Sequence, residues 1–336
     1  MSKVTSLEVA RRAGVSQSAV SRVFTPGASA SAKTAEKVKR AAEELGYRPN
    51  VLARAMVSGK SRIIGLVVAY LENQFYPVAL ELLSNALQEK GYHILIFTAP
   101  NSTDGVDRVM QDLMDYQVDG IIAASVSMSS PLAARAQAAG VPVVLFNRGH
   151  DGPDFSNVTS TNFDGARQVT QYLIDTGHRR IAHIAGWQGS QTGRDRARGF
   201  EAALADAGMT PFALIDGMYN RTVAEKCTRQ LLEGARPDAI FVGNDHMAFA
   251  VLDEIRKAGL ETGRDISVVG FDDVPQAAWG AYDLTTYRQP VNRMVKATVA
   301  LILDQIERGS TTAEKIEIEG QLIRRGSVRN LEGDGP

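Results

Sequence analysis

The sequence predicts an N-terminal three-helix head containing a helix-turn-helix, followed by an α/β core of two doubly wound parallel-sheet subdomains. Short amphipathic segments with helix-capping residues fill the first 46 residues, whereas apolar runs alternate with helical stretches from Ser61 onward. Charge divides the chain in the same way. Residues 1–60 carry 11 lysines and arginines against 4 acidic residues, although the whole chain has a formal net charge of −1. The head is therefore expected to bind a polyanion.

The first two helices of the head are predicted between Thr5 and Val23. Thr5 and Ser16 stand where N-cap hydroxyls are needed, Glu8 completes a capping box with Thr5, and Gly14 supplies the turn. The apolar stripe of the first helix is formed by Leu7, Val9, Ala10 and Ala13. The second helix presents side chains suited to base edges and phosphates, namely Gln17, Ser18, Ser21 and Arg22. The alternative is an ordinary pair of core helices with a solvated Arg22.

A third helix and a linker follow the helix-turn-helix. Ser31 and Thr34 open a helix that runs to Leu45 and stops at Gly46. Pro49 then breaks the chain, and the segment 50–58 is a candidate helix too short to be stable alone. We interpret it as a linker that folds when docked, with a plain flexible linker as the alternative.

Seven apolar runs mark buried strands of the core. The runs come in two successive sets, and several helices between them end at glycine. The predicted strands are 63–70, 92–98, 120–124 and 141–146 in the first set, and the run near 181–185, 239–243 and 266–271 in the second. Two such sets predict two sheets facing each other across a cleft, with ligands at the carboxyl ends of the strands.

Polar side chains follow these strands at the expected ligand-binding edge. They are Asn147 with Arg148, Asn244 with Asp245, Asp272 with Asp273, and Arg194 with Arg196 near a helix start. Arginine, carboxylate and amide groups that converge on a cleft suit a polyhydroxylated or anionic small molecule. For any one of them, a cap or a surface salt bridge is the alternative interpretation.

Composition limits the remaining possibilities. The single cysteine, Cys227, excludes a disulfide framework and a multi-thiolate zinc site. Neither a signal-peptide pattern nor an apolar run of about 18 residues is present, so we expect a soluble cytoplasmic protein. The sequence has no G-x-G-x-x-G after the first predicted strand, no P-loop, no G-x-S-x-G and no H-E-x-x-H motif. Its five histidines are scattered along the chain. The sequence thus predicts a protein that is not an enzyme and has no metal site or cofactor.

Several motifs together resemble the lactose-repressor (LacI/GalR) family of bacterial transcription regulators over essentially the whole chain. The motifs are Val9-Ala-Arg-Arg-Ala-Gly-Val-Ser-Gln-Ser-Ala-Val-Ser-Arg-Val23, Gly46-Tyr-Arg-Pro-Asn50, Arg196-Ala-Arg-Gly-Phe200, Asn244-Asp245, Ile266-Ser-Val-Val-Gly-Phe-Asp-Asp273 and Leu284-Thr-Thr-Tyr-Arg-Gln289. The resemblance implies a ligand-responsive repressor, most often of carbohydrate-related genes, that binds a pseudo-palindromic operator as a homodimer.

The resemblance also implies roles for residues of the head. Gln17, Ser18 and Arg22 would face bases of the major groove. The backbone contacts would come from Thr5, Ser16, Ser21, Ser31 and Thr34. Residues 50–58 would fold into a hinge helix in the minor groove, with contacts from Asn50, Ala53 and Met56. Met56 stands where the family usually has leucine, and Thr25 stands where it usually has asparagine.

For the core, the resemblance implies a periplasmic-binding-protein-like fold with an effector site in the cleft. The expected ligand-binding residues are Asn73, Phe75, Tyr76, Asn147, Arg196, Tyr219, Asn244, Asp272 and Gln289. The resemblance divides the chain into a head at 1–46, a hinge at 47–60 and a core. The family's three crossovers between the subdomains of the core imply an N-subdomain of 61–161 with 290–318 and a C-subdomain of 162–289 with 319–330. The tail, residues 331–336, carries no leucine heptad, so a tetramer through it is not expected.

One rival and several open choices remain at this stage. A solute-binding protein of a transport system shares a two-lobed cleft, although the basic helix-turn-helix argues against it. The effector is expected to be a neutral or acidic sugar or sugar derivative, with purines as an alternative. The sequence does not choose between inducer and corepressor or between repression and activation, and it does not identify the target genes.

Overall fold

A computed structural model describes residues 4–25, 28–48, 60–69, 71–99, 103–124, 126, 135–136, 138–149, 152, 155–309 and 312–329. The chain divides into two compact units, residues 1–62 and 63–336.

The first unit contains three helices around a small apolar core. They are α1 (Ser6–Ala13), α2 (Gln17–Val23) and α3 (Ala32–Leu45). The capping box forms, because the Glu8 carboxylate accepts from the Thr5 backbone N–H at 2.7 Å and the Thr5 hydroxyl accepts from Glu8 N–H at 3.4 Å. Val9, Val20 and Val38 are fully buried between the helices. The three predicted helices are therefore present with the predicted caps.

One apolar residue of the head does not behave as predicted. Leu7 was expected on the buried stripe of α1, but 44% of its surface is exposed. The buried face of α1 is formed by Val9 and Ala10, which lie on the side that meets α3. An eight-residue helix covers its core with a narrow stripe, and Leu7 falls outside it.

The second unit contains two six-stranded sheets. The first sheet has the strands β1 (Ile63–Val68), β2 (His93–Thr98), β3 (Gly120–Ala124), β4 (Val143–Phe146), β5 (Ser156–Ser160) and β11 (Lys315–Ile318), in the spatial order β11-β5-β4-β3-β1-β2. The second sheet has β6 (Ile181–Ala185), β7 (Ala213–Asp216), β8 (Ala239–Val242), β9 (Ser267–Asp272), β10 (Thr285–Arg288) and β12 (Gln321–Ile323), in the order β12-β10-β9-β8-β6-β7. Only the pairing of β10 with β12 is antiparallel among these strands.

Helices connect and cover the strands. They are α4 (Phe75–Glu89), α5 (Thr103–Asp115), α6 (Asn162–Asp175), α7 (Gln191–Asp206), α8 (Arg221–Leu232), α9 (Asp245–Lys257) and α10 (Val291–Arg308). The helix α10 packs against strands of the first sheet, although it follows a strand of the second. The chain therefore passes between the two sheets after β5, after β10 and between β11 and β12.

The apolar runs predicted seven strands, including the edge strand β2, but missed five others. The missed strands are β5, β7, β10, β11 and β12. The strand β5 is buried, yet its sequence Ser-Asn-Val-Thr-Ser is mostly polar. Its two serine hydroxyls are hydrogen-bonded: Gln305 Nε2 donates to Ser156 Oγ at 2.7 Å, and Ser160 Oγ donates to Gln289 Oε1 at 2.8 Å. Burial of these serines is therefore compensated by polar partners, which hydropathy cannot reveal.

Gly199 is the glycine of the motif Arg196-Ala-Arg-Gly-Phe200, and its surroundings show why a side chain does not fit there. It lies on α7 where that helix packs against α6. A Cβ atom at this position would lie 2.2 Å from the backbone oxygen of Phe163 and 3.0 Å from Ala166 Cβ. Only glycine allows the two helices to approach so closely.

We predict that Gly199→Ala destabilises the protein by roughly 1–3 kcal/mol, because the added methyl group forces α6 and α7 apart. Denaturant unfolding followed by circular dichroism measures the change. Gly280→Ala is the matched control, since no atom lies within 4 Å of its added Cβ. Equal stability of the two variants would show that the helix contact tolerates a side chain.

Candidate functional site

The polar face of α2 is exposed, as a surface that contacts DNA requires. Ser18, Ser21 and Arg22 are all exposed. Gln17 is exposed as well, but its Nε2 donates to Ser6 Oγ at 2.9 Å, so this amide is held against α1. The helix therefore presents two hydroxyls, an amide and a guanidinium on one side.

The predicted backbone contacts of the head coincide with helix caps. Ser16 Oγ accepts from Ala19 N–H at 3.2 Å, and Ser31 Oγ accepts from Thr34 N–H at 3.2 Å. Thr5 caps α1 in the same way. Thr25 Oγ1 donates to the Ser21 carbonyl at 2.8 Å and so closes the end of α2. The predicted contacts Asn50, Ala53 and Met56 lie outside the described residues.

A small cavity lies between the two sheets of the core, and we call it the central cavity. The space between its walls is about 300 Å³, part of which is open to solvent. The side chains that line it come from the ends of strands in both sheets and from the helices that follow them. They are Asn73, Tyr76, Asn147, Arg148, Thr192, Arg196, Tyr219, Asn244 and Asp272.

Asp272 is the centre of a buried hydrogen-bond network that joins the two sheets. Gln289 Nε2 donates to its Oδ1 at 2.6 Å, and Asn73 Nδ2 donates to its Oδ2 at 3.3 Å. The other end of the Gln289 amide accepts from Ser160 at 2.8 Å. Asn73 follows β1 and Ser160 ends β5, both in the first sheet, whereas Asp272 ends β9 in the second. The carboxylate is thus held by groups from both halves of the core.

Arg196 occupies the second sheet's side of the cavity. Its Nε donates to Asn162 Oδ1 at 3.0 Å, and its Nη1 donates to the Gly243 carbonyl at 2.5 Å. Its Cζ atom lies 3.7 Å from the centroid of the Phe271 ring. The side chain is only 2% exposed, so its orientation is fixed before any ligand binds.

Unmet hydrogen-bonding capacity is concentrated at the central cavity. Three lining side chains carry a buried polar atom without a hydrogen-bond partner in the described part of the chain: Asn147 Oδ1, Thr192 Oγ1 and Tyr219 OH. Buried polar atoms are almost always hydrogen-bonded, so these atoms indicate a place for a polar ligand. Asn147, Tyr219 and Asp272 also have positive φ angles of 56°, 53° and 137°. Such strained backbone is typical of functional sites.

The structure brings seven of the nine predicted ligand-binding residues to the cavity wall and leaves two behind it. Phe75 is buried with its ring 6.2 Å from that of Phe146, and Gln289 contacts Asp272 from outside the wall. Arg148 and Thr192 also line the cavity. Arg148 was predicted at the ligand-binding edge from its position after a strand, although it is not in the set implied by the resemblance, whereas Thr192 was not predicted at all. Arg148 directly follows Asn147 at a strand end. Thr192 lies one helical turn before Arg196 on α7, so i, i+4 spacing is the signal that finds it.

Burial shifts the pKa values of the carboxyl groups at the cavity. It raises the pKa of Asp272 to about 6, while Arg196, Gln289 and Asn73 act in the opposite direction. Asp245 is completely buried; its Oδ1 accepts from Thr286 Oγ1 at 2.6 Å and its Oδ2 from Val274 N–H at 3.0 Å. Burial, followed by the neighbouring Asp272 carboxylate, raises the pKa of Asp245 to about 8. One proton is therefore retained beside the cavity near neutral pH.

The second unit is thus a two-lobed ligand-binding core, and the first unit is a helix-turn-helix domain. The cavity has fixed donors and acceptors but no nucleophile with an adjacent general base among the described residues that line it. The fixed donors and acceptors suit a small polar molecule. No helix within the described ranges has an apolar stretch of the length that a bilayer crossing requires.

Comparison with protein families agrees with this division. Residues 6–50 match the model for bacterial regulatory proteins of the lacI family. Residues 170–328 match the model for a periplasmic binding protein-like domain.

Three similar proteins cover nearly the whole chain. The HTH-type transcriptional regulator CelR of Thermobifida fusca is 35% identical over 331 residues, which are 95% of this chain and 96% of that protein. The lac repressor dimer, solved with operator and the anti-inducer ONPF, has a TM-score of 0.88 at 28% identity and covers 98% of this chain and 100% of its own. A complex of the transcriptional regulator CelR with cellobiose has a TM-score of 0.74 at 33% identity, with coverages of 97% and 100%.

The chain belongs to the lacI family of bacterial regulatory proteins. It is a ligand-responsive, DNA-binding transcriptional regulator, with the lacI-family helix-turn-helix in the first unit and a periplasmic-binding-protein-like fold in the second.

We predict that Asp245→Asn becomes more stable relative to the unaltered protein as the pH rises from about 5 to about 8. The folded-state pKa of Asp245 lies above its unfolded value, so the unaltered protein loses stability as pH rises towards the folded pKa. The difference grows by at most roughly 1.4 kcal/mol per pH unit. Urea unfolding at both pH values measures it, with the exposed Asp112→Asn as the control for loss of one charge. A pH-independent difference would mean that Asp245 is ionised throughout.

Proposed function

We propose that this regulator represses carbohydrate-related genes and that its effector is a sugar or sugar derivative bound in the central cavity. The proposal rests on the three unpartnered polar atoms of Asn147, Thr192 and Tyr219. An amide oxygen needs a donor, whereas a hydroxyl group can donate and accept. A sugar carries several hydroxyl groups on one ring. These hydroxyl groups can donate to the Asn147 amide oxygen and can exchange hydrogen bonds with the hydroxyl groups of Thr192 and Tyr219.

Charge at the cavity supports the same class of ligand. Asp272 offers a carboxylate held by Gln289 and Asn73, and carboxylates accept well from sugar hydroxyls. Arg148 and Arg196 add positive charge to the cavity wall, and this charge would also suit an acidic sugar. The cellobiose complex of CelR supports a saccharide as the effector of this chain.

On the DNA side, we propose a homodimer whose two heads bind the half-sites of a pseudo-palindromic operator in the cytoplasm. Gln17, Ser18 and Arg22 would contact bases. The capping residues Thr5, Ser16 and Ser31 would contact phosphates together with Ser21 and Thr34. Asn50, Ala53 and Met56 would contact the minor groove from a hinge helix. The dimer bound to operator in the lac repressor structure supports this arrangement.

We propose that the effector acts by changing the relation between the two halves of the core. The N-subdomain would comprise 61–161 and 290–318, and the C-subdomain 162–289 and 319–330. The central cavity is lined from both, so a bound ligand stabilises one arrangement over the other. Coupling of this kind is typically about 1–3 kcal/mol.

Asp272→Ala is expected to abolish the effect of the saccharide on operator binding, while the protein still binds the operator at an altered affinity because hydrogen bonds that join the two sheets are lost. The variant removes the carboxylate and the acceptor of Gln289 and Asn73. Fluorescence anisotropy with labelled operator, obtained by affinity selection from genomic DNA, measures both properties. Asp206→Ala is the control, because this exposed aspartate pairs with Arg167. A saccharide effect on operator binding that is unchanged in Asp272→Ala would place the effector elsewhere.

Replacing Arg22 tests direct base recognition. We expect Arg22→Ala to cost roughly 1–3 kcal/mol of operator binding and to relax the preference at one base pair per half-site. Arg22→Lys keeps the charge but loses the bidentate geometry, so it should relax the same preference with less loss of non-specific affinity. Selection of randomised operators at one fixed salt concentration compares the proteins. An unchanged base preference in both variants would argue that Arg22 contacts only phosphates.

A further inference from the structure

A second polar groove lies beside the central cavity, and we call it the side groove. Its empty volume is about 730 Å³, part of which is open to solvent. The residues that line it are Gly149, Asn157, Thr159, Asn162, Gln191, Thr192, Asp195, Lys315 and Glu317. The groove is distinct from the central cavity but shares Thr192 with it.

Both halves of the core contribute to the side groove. In the parallel pairing of β5 with β11, Lys315 is opposite Asn157 and Glu317 is opposite Thr159. Residues two apart on a strand point to the same face, so these four side chains form one wall. The first turns of α6 and α7 form the other wall through Asn162, Gln191, Thr192 and Asp195. A molecule in the groove would therefore contact both sheets.

The groove contains polar atoms that the protein does not satisfy. Asn157 is 4% exposed, and its Nδ2 has no hydrogen-bond partner in the described part of the chain. The same holds for the buried Oε1 of Gln191 and for Oγ1 of Thr192, which is 6% exposed. An amide N–H₂ needs an acceptor, whereas an amide oxygen needs a donor. The missing ligand must therefore offer both.

The charges of the groove favour hydroxyl groups over a bare cation. Asp195 and Glu317 are acidic, and the pKa of Glu317 is raised by partial burial and by the Asp195 and Asp164 carboxylates. A cation would suit these groups, but it would leave Asn157 Nδ2 unsatisfied and would lie near the Lys315 ammonium. Within the described residues, no three histidine, cysteine or acidic side chains are arranged to hold a metal ion.

The groove and the central cavity share a boundary. Arg148 and Thr192 line the cavity, and their chain neighbours Gly149 and Gln191 line the groove. Gly149 and Gln191 also touch: a Cβ on Gly149 would lie 2.3 Å from Gln191 Oε1. Asn162 lines the groove and accepts from Arg196, which lines the cavity. A carboxamide side chain packed against a glycine thus separates the two sites.

We propose that the side groove is an outer subsite that binds a second hydroxylated unit of a saccharide effector, whose first unit occupies the central cavity. This inference rests on the proposed saccharide function. Hydroxyl groups of the second unit accept from Asn157 and donate to Gln191 and the acidic side chains. The natural effector is then a disaccharide or longer saccharide.

The test is isothermal titration calorimetry of the full-length protein with matched sugars. The pairs are glucose with cellobiose, galactose with lactose, and xylose with xylobiose. We expect one disaccharide to bind at least about tenfold more tightly than its monosaccharide. Asn157→Asp replaces the donor with an acceptor of equal size and should remove this advantage while leaving monosaccharide affinity unchanged.

A second variant tests the groove independently, in case Asn157→Asp fails to fold because Asn157 is buried. Lys315→Ala, at an exposed position, should also lower disaccharide affinity selectively, whereas the exposed Lys296→Ala should not. Disaccharide affinity that is no higher than that of the monosaccharide, or that is unaffected by both groove variants, overturns the outer subsite alone. Failure of every sugar to bind the unaltered protein overturns the proposed saccharide function and the outer subsite together.

Discussion

The buried hydrogen bonds around Asp272 are the constraint on which the core depends. Asn73 and Ser160 belong to the first sheet, whereas Asp272 belongs to the second and Gln289 lies where the chain returns to the first. A carboxylate buried between two lobes is costly unless it is fully hydrogen-bonded. These partners therefore hold the lobes in one relation, and a ligand that contacts Asp272 competes for the same bonds. These shared atoms are the basis on which we propose that ligand binding and lobe geometry are coupled.

The fold could be predicted from sequence where burial is apolar and where caps mark the ends of helices. The runs that became β1, β3, β8 and β9 are continuous apolar stretches, and Thr5, Ser16 and Ser31 mark the helices of the head. The strand β5 could not be found, because its burial depends on distant partners such as Gln305 and Gln289. Leu7 shows the opposite error, since an apolar residue in a helical pattern remained exposed.

The residues of the central cavity could also be predicted only in part. Side chains directly after predicted strands, such as Asn147 and Asp272, reach the cavity because parallel strands end at one edge of a sheet. Thr192 was missed because it precedes the recognised motif by one turn, and Gln289 lies behind the wall because its amide is already used by Asp272 and Ser160. Sequence position thus indicates the neighbourhood of a site, whereas the hydrogen-bond partners decide which side chains remain available to a ligand.

Reciprocal linkage is the most direct test of a cavity coupled to a DNA-binding head. Operator affinity is measured with and without saturating saccharide, and saccharide affinity with and without operator, at one salt concentration. If both ligands bias one equilibrium of the core, each must change the affinity for the other by the same factor, typically between 5-fold and 150-fold. The predicted result is that saccharide changes the operator affinity, and operator changes the saccharide affinity, by the same measurable factor. Saccharide that binds the cavity without changing operator affinity would contradict the account.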